Sequence, residues 1–412
     1  MIRFWCTTIL AMLSLLQSPS TMAVEADNED LASALFNGTP QVHVRYRFEL
    51  VNDDRFIKDA EASTARLRLN YTTRTWRNWT AFGEFDYIGE VFINDFNSGA
   101  GTSSPDRDQY PVVADPKGAD LNQLTMDYGG IKNTQLRIGR QRILLHDQRF
   151  VGGVGWRQNE QTYDGVSVHR SISERSHASY SYLTSVKRIF GNRTTAGRHD
   201  ADTHLLNASL DLTDNWKLSP FYYHIDNDDV PALSTATGGL RLGGSVKLGT
   251  SSLNLLGSIA KQTDVANNPT DFDASYYHVS ANIDFDNSIS VGLGLEVLEG
   301  DQLSPGTAFR TPLATLHLFN GWADQFLATP DAGIEDLYLS VKYQHQKWRW
   351  QGVYHDFSAE SGSADWGTEL DLSFGRNISN NIALLLKGAF FTADDPGRAD
   401  VRKIWVQFVA NY

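Results

Sequence analysis

Only one cysteine, Cys6, occurs in the 412 residues. A lone thiol excludes a disulfide framework and a cysteine-ligated metal. Positive charge is also scarce. Thirty-six Lys and Arg against 49 Asp and Glu leave a net charge of −13, so no basic surface offsets phosphate repulsion, and nucleic acid is excluded as a partner. Beyond the first two dozen residues no run approaches the roughly 20 apolar residues of a membrane helix. Membrane barrels stay open, because their strands show lipid only every second residue. No HExxH, Walker or dinucleotide fingerprint occurs, and the 11 histidines lack metal-ligand spacing. The stretch "DFNSGAGTSSPDRD" (95–108) is oxygen-rich but lacks the closing Glu of a calcium loop. His169 follows Ser167 on one strand face without an oxyanion-hole motif. Neither an enzyme nor a cofactor is expected.

What is present begins with a leader. Arg3 precedes the mostly apolar "FWCTTILAMLSLLQ", and "SPSTMAVEA" offers small residues for cleavage after Ala23, with Ala26 as the alternative. Residues 1–23 therefore read as a signal peptide, 24–40 as a periplasmic N-terminal extension or plug fragment, and 41–412 as one domain.

Alternation of period two dominates that domain. In "VHVRYRFEL", Val42, Val44, Tyr46, Phe48 and Leu50 share one face and His43, Arg45, Arg47 and Glu49 the other. "STARLRLNY" repeats the pattern with Ala65, Leu67, Leu69 and Tyr71 against Thr64, Arg66, Arg68 and Asn70. Connections alternate between short turns, such as 173–176 and 286–288, and long polar stretches, such as 92–120, 143–162 and 300–333. That asymmetry describes an all-β transmembrane antiparallel barrel of about eighteen strands, with short periplasmic turns and long extracellular loops. The final strand, "VRKIWVQFVANY", is amphipathic and ends on aromatic Tyr412, a pattern that barrel-assembly machinery recognises. Trp76, Trp79, Tyr222, Tyr223, Tyr276, Tyr277, Trp348 and Trp350 suit interfacial girdles.

With apolar faces in lipid, the charged faces enclose water. Arg45, Arg47, Arg66 and Arg68 then form a ladder beside Glu84 and Asp86, joined around the wall by Arg137, Arg241, Lys247, Lys342, Arg349, Lys387 and Lys403 and by Glu296, Asp336, Glu369 and Asp371. Turning an Arg or Lys outward at mid-bilayer would cost about 2–4 kcal/mol. Guanidinium forks suit carboxylates and phosphates, so the ladder points to an anionic solute. The same arginines could equally pair with Glu49, Glu84 and Asp86 to stabilise the wall.

One segment breaks the rhythm: "LRIGRQRILLHDQRFVGGVGWRQNEQTYDGVSV", rich in arginine, glycine and tryptophan. It resembles a block shared by outer-membrane proteins of the alginate-export porin family, and "PLATLHLFNGWADQFLATPDAGIEDLYLSVKY" (312–343) resembles a second. Together they cover under a fifth of the chain. The resemblance implies a monomeric eighteen-stranded barrel with an arginine-rich constriction passing polyuronate or other small anionic solutes. Physically, Gly152, Gly153 and Gly155 permit an irregular path with positive φ angles. Arg140, Arg142, Arg149, Trp156, Arg157 and Glu160 would hold the loop against the wall and line the neck. His317, Asn320, Trp322 and Asp324 would do the same from the second block.

The sequence thus reads as an outer-membrane porin acting by passive diffusion. Its expected partners are outer-membrane lipid, lipopolysaccharide and an anionic small molecule or oligosaccharide. The competing reading is a barrel-anchored surface receptor or adhesin acting through its long loops.

Overall fold

Strict polar–apolar alternation with turn residues between segments dictates strands, and the computed structural model, which describes residues 30–99 and 107–412, contains eighteen of them. The expected signal peptide and the first residues of the N-terminal extension lie outside the described residues. A short helix, α1 (Leu31–Phe36), capped by Asp30, precedes the sheet. It is tied to the turn at residues 73–78 by the Arg74 amide, which donates to the Ala34 carbonyl at 3.0 Å.

The strands run β1 (Thr39–Asp53), β2 (Ala60–Thr72), β3 (Trp79–Asp95), β4 (Gly118–Ile131), β5 (Thr134–Gln141), β6 (Thr162–Ser173), β7 (Ser176–Lys187), β8 (Arg198–Asp211) and β9 (Trp216–Asn227). They continue as β10 (Thr235–Leu248), β11 (Ser251–Asp264), β12 (Asp273–Asp284), β13 (Ile289–Leu298), β14 (Ile334–His345), β15 (Trp348–Ser358), β16 (Asp365–Asn377), β17 (Ile382–Ala393) and β18 (Val401–Asn411). Each pairs antiparallel with its sequence neighbours, and β1 pairs with β18 to close the ring. Closure continues past the strand end: the Val42 and Tyr412 backbones exchange two hydrogen bonds of 2.8 Å. A closed ring leaves no edge strand, so no strand presents an open row of unpaired backbone groups to lipid.

Side-chain exposure fixes the orientation. Leu67 and Leu69 are 40% and 45% exposed, whereas Arg66 and Arg68, which alternate with them, are buried. On β18, Ile404 and Phe408 face out while Trp405 and Gln407 are buried inside. The apolar face is therefore the outer face, the reverse of a soluble sandwich. The aromatic pairs divide by the same alternation. Tyr222 and Tyr277 point outward, but Tyr223 and Tyr276 are buried inside, so of these four only Tyr222 and Tyr277 are placed for an interfacial belt, whereas Trp348 and Trp350, two apart on β15, share the outer face.

The interior is not lined by polar groups alone. The β5–β6 loop (142–161) and the β13–β14 loop (299–333) fold inward. Their Phe150, Trp156, Phe309, Trp322 and Phe326 pack with Tyr223, Tyr276, Phe357, Phe391 and Trp405 from the wall in one buried cluster. The barrel thus has an outer apolar surface for lipid and a separate inner core that fastens these loops.

Candidate functional site

The centre of the site is the arginine ladder. Arg45 and Arg66 stand directly opposite each other across β1 and β2, an arrangement that repels unless anions or dipoles intervene. Loop backbone supplies them. Arg45 Nη1 donates to the carbonyls of Gly155, Trp156 and Arg157 at 3.1, 3.3 and 3.1 Å. Arg66 Nη1 donates to the Gln158 carbonyl at 3.1 Å. Arg47 donates to the Trp156 carbonyl, to Gln407 Oε1 at 2.6 Å and to Asp115 at 3.4 Å. Arg68 grips Asp86 in a bidentate pair at 2.7 Å per arm and reaches Glu160 at 2.9 Å. The four guanidinium groups are 7%, 1%, 5% and 6% exposed in chain order. They are covered, and a run of carbonyls from 155 to 158 followed by the Glu160 carboxylate lies along them.

The rest of the β5–β6 loop is held by charge on both sides. Glu160 pairs with Arg142, which also reaches Glu84 at 3.0 Å. Arg157 bridges Glu49 at 2.9 Å and Asp324 at 3.4 Å. Arg149 donates to Glu296 at 2.8 Å and to Asn320 at 2.9 Å, so it spans from its own loop to the wall and to the second loop. The glycines of this loop act differently from the sequence expectation. Positive φ falls on His146, Gln148 and Val154 instead. Gly152 is needed for contact, since a Cβ there would sit 2.2 Å from Thr315 Oγ1.

In the second loop, the segment Asn320–Asp324 forms a docking turn. Asn320, Gly321 and Asp324 have φ of 52°, 82° and 61°. This aims the Trp322 and Ala323 amides at two carboxylates of β16, Asp371 at 3.0 Å and Glu369 at 2.7 Å. His317 is anchored at both nitrogens, with Nδ1 2.7 Å from Asp324 and Nε2 2.7 Å from the Lys387 ammonium. With Lys387 protonated, its ammonium only donates and the Asp324 carboxylate only accepts, so the ring is then neutral with its proton on Nδ1. Burial pushes the His317 imidazole down to about 3, against the pull of Asp324. Burial alone would raise Asp324, but His317, Lys403 and Arg157 hold it well below the usual carboxylate range. Glu160 is likewise held well below that range: burial opposes ionisation, and Arg142, Arg68 and Arg66 override it. Lys387 Nζ lies 3.7, 4.3 and 5.3 Å from the ring centres of Trp322, Trp156 and Trp405, a cation–π enclosure that spreads its charge over three rings.

The structure therefore gathers Arg45, Arg47, Arg66, Arg68, Glu84, Asp86, Arg142, Arg149, Trp156, Arg157, Glu160, His317, Asn320, Trp322 and Asp324 into one connected network. Four expected residues stand apart. Arg137 pairs with Asp127 at 2.6 Å, and Arg349 bonds Asn377 at 2.7 Å nearer the short-turn end. Lys342 is half-buried on the inner face of β14. Arg140 is one residue out of phase with Arg137. It lies on the face that β5 turns away from the lumen and grips Asp164 at 2.7 Å. Asp115, Trp405, Gln407 and His355 were not singled out from sequence. Asp115 sits in a long polar loop with nothing local to mark it, whereas the phase of β18 already places Trp405 and Gln407 inside. Ser167 bonds Gln141 and Ser181, each at 2.8 Å, as part of the wall. Among the described residues no group of three or more His, Cys, Asp or Glu side chains is placed to hold a metal ion.

Comparison with known proteins agrees with this architecture. A family model described as alginate export matches residues 39–278. No curated protein matches the sequence. Among solved structures, Acinetobacter baumannii OccAB2 superimposes with a TM-score of 0.71 at 14% identity, covering 92% of this chain and 99% of its own. Pseudomonas aeruginosa OccK9 (OpdG) gives 0.70 at 13%, covering 92% and 100%. Pseudomonas aeruginosa OpdK, solved with vanillate, gives 0.67 at 12%, covering 90% and 99%.

Proposed function

Because the chain belongs to the alginate export family and folds as a porin of the bacterial outer membrane, we propose that it passes small acidic solutes by passive diffusion. The reading rests on which inward charges reach water. The ladder and its carboxylates neutralise one another and are covered by loop. Outside that network the half-buried inward cations are Arg137, Arg241, Lys342 and Arg349, with Arg142 at its edge; of the half-buried inward carboxylates, Asp127 and Asp147 pair with Arg137 and Arg241, and Glu90, Asp211 and Asp264 lie toward the strand ends, so the cations are carried by β5, β10, β14 and β15. In this reading the passage lies beside the docked loops along the wall that carries Arg137, Lys342 and Arg349, and Arg241, tied at 2.7 Å to Asp147 of the β5–β6 loop, marks its margin. The ladder contributes through the docked loops, holding them in the shape that narrows the channel.

In this arrangement an anion is drawn to the half-exposed guanidinium and ammonium groups and sheds part of its water at the loop edge. It is then handed along the wall without covalent chemistry or energy input. The vanillate present in the OpdK structure supports an acid as the class of solute, and the family name adds polyuronate to the candidates. The direct test is single-channel conductance against a panel of uronate oligomers, acidic sugars, small dicarboxylates and neutral analogues of matched size. Acidic solutes are expected to interrupt the current at lower concentration than the neutral analogues. Equal interruption by both would remove the charge-based reading.

A further inference from the structure

On the outer face of β6 to β9, near the short-turn end, lies an open groove of about 450 Å³. Its floor is made of the small residues Ala178, Ala208 and Pro220, and its walls include Tyr180, Leu206 and Tyr222. All six lie on the strand phase that faces lipid; Tyr180, Leu206 and Tyr222 are 37%, 46% and 46% exposed.

Pro220 gives the groove a local cause. Proline has no N–H for the ladder, and the β8–β9 register lapses there. Pairing stops after Asn207↔Phe221 and resumes, unshifted, at Leu210↔Leu218. Ala208 already faces Ala178 on β7, so three small side chains adjoin a gap in the ladder. The furrow lies where these three small side chains meet the lapse in pairing, flanked by the larger Tyr180, Leu206 and Tyr222.

The two ends of the furrow differ. Toward the long loops, the Tyr180 hydroxyl is tied to His204 Nδ1 at 2.7 Å. Toward the short turns, Arg170 contributes to the lining. It is exposed on the outer face and, among the described residues, has no ion-pair or hydrogen-bond partner for its side chain. An outward arginine is costly at mid-bilayer but stable where its head can snorkel to the interface. Arg170 lies three residues before the end of β6, or about 10 Å along the strand at the usual rise per residue.

We propose that this furrow is a binding site for one glycerophospholipid of the inner leaflet of the outer membrane. An acyl chain lies over Ala178, Ala208 and Pro220, and the phosphate meets the Arg170 guanidinium. The chain shields the parted β8–β9 backbone, and the phosphate supplies the partner that Arg170 lacks within the protein.

The test is native mass spectrometry of the full chain in mild detergent, re-supplied with phosphatidylglycerol or with diacylglycerol of the same acyl chains. Wild type is expected to retain one phosphatidylglycerol per barrel and to lose diacylglycerol. Ala208→Trp, which fills the floor, is expected to retain neither. Arg170→Gln is expected to lose the distinction between the two lipids while keeping wild-type conductance, because it lies outside the pore. Equal retention of both lipids by wild type, or undiminished retention by Ala208→Trp, would overturn the proposal. So would a mass showing a second copy of the chain in place of lipid. Should Ala208→Trp not assemble, Arg170→Gln alone decides the phosphate contact.

Discussion

Trp156 and His317 lie face to face, ring centroids 4.9 Å apart and planes 11° from parallel, although they come from different loops. Arg47 sits 4.1 Å from the centre of the Trp156 ring, so one indole joins the ladder, the β5–β6 loop and the β13–β14 loop. Truncating a buried aromatic of this kind costs about 3–5 kcal/mol. Trp156→Ala is expected to uncouple the loops while the ring of strands stays intact. Single-channel recordings should show larger, noisier openings with unchanged heat-modifiable gel mobility. A wild-type current trace would show that the stacked pair does not hold the loops.

Gly321 offers a finer probe of the same closure. It has φ of +82°, and a Cβ there would fall 2.4 Å from Glu369 Oε2. Alanine would add left-handed strain of about 1–2 kcal/mol and push against the carboxylate that receives the Ala323 amide. Gly321→Ala is expected to expose residues 299–333 to protease in detergent, leaving the wall undigested. Protection equal to wild type would mean that the turn docks by other means.

Acidification should loosen the loops, and the sign follows from His317. Its pKa falls from an ordinary value near 6.5 to about 3 when docked, so between those values the undocked form binds the extra proton. Docking is then fully supported above about pH 6.5 and weakens as pH falls toward 3. Asp324 and Glu160, both depressed, act in the same direction at lower pH. Current noise is expected to rise between pH 6.5 and 4 in wild type and to stay flat in His317→Gln. Noise that falls on acidification would reverse the assignment.

Much of this is legible in the sequence. The phases of "VHVRYRFEL" and "STARLRLNY" place Arg45, Arg47, Arg66 and Arg68 inside, because period-two geometry leaves them no other face. The density of arginine, tryptophan and glycine in 142–161 marked a loop that must contact something. The identity of the contact could not be read. Arg45 binds three consecutive carbonyls, and carbonyls carry no sequence signature. Arg157 meets Glu49 and Asp324, which are brought together only when the ring closes. Arg140 belonged by composition to the same run as Arg137 and Arg142, yet Gly139 at φ of +115° and the strand phase carry it to the outer face. Local pattern therefore gave facing, while partnership across the lumen depended on closure.

The central claim, an outer-membrane channel that prefers anions, is tested most directly by the reversal potential of the purified barrel in a planar bilayer under a potassium chloride gradient. A reversal displaced toward the chloride equilibrium potential is expected, with the displacement reduced when Arg137→Gln and Arg241→Gln are combined. A wild-type reversal at zero, or displaced toward the potassium potential, would contradict it.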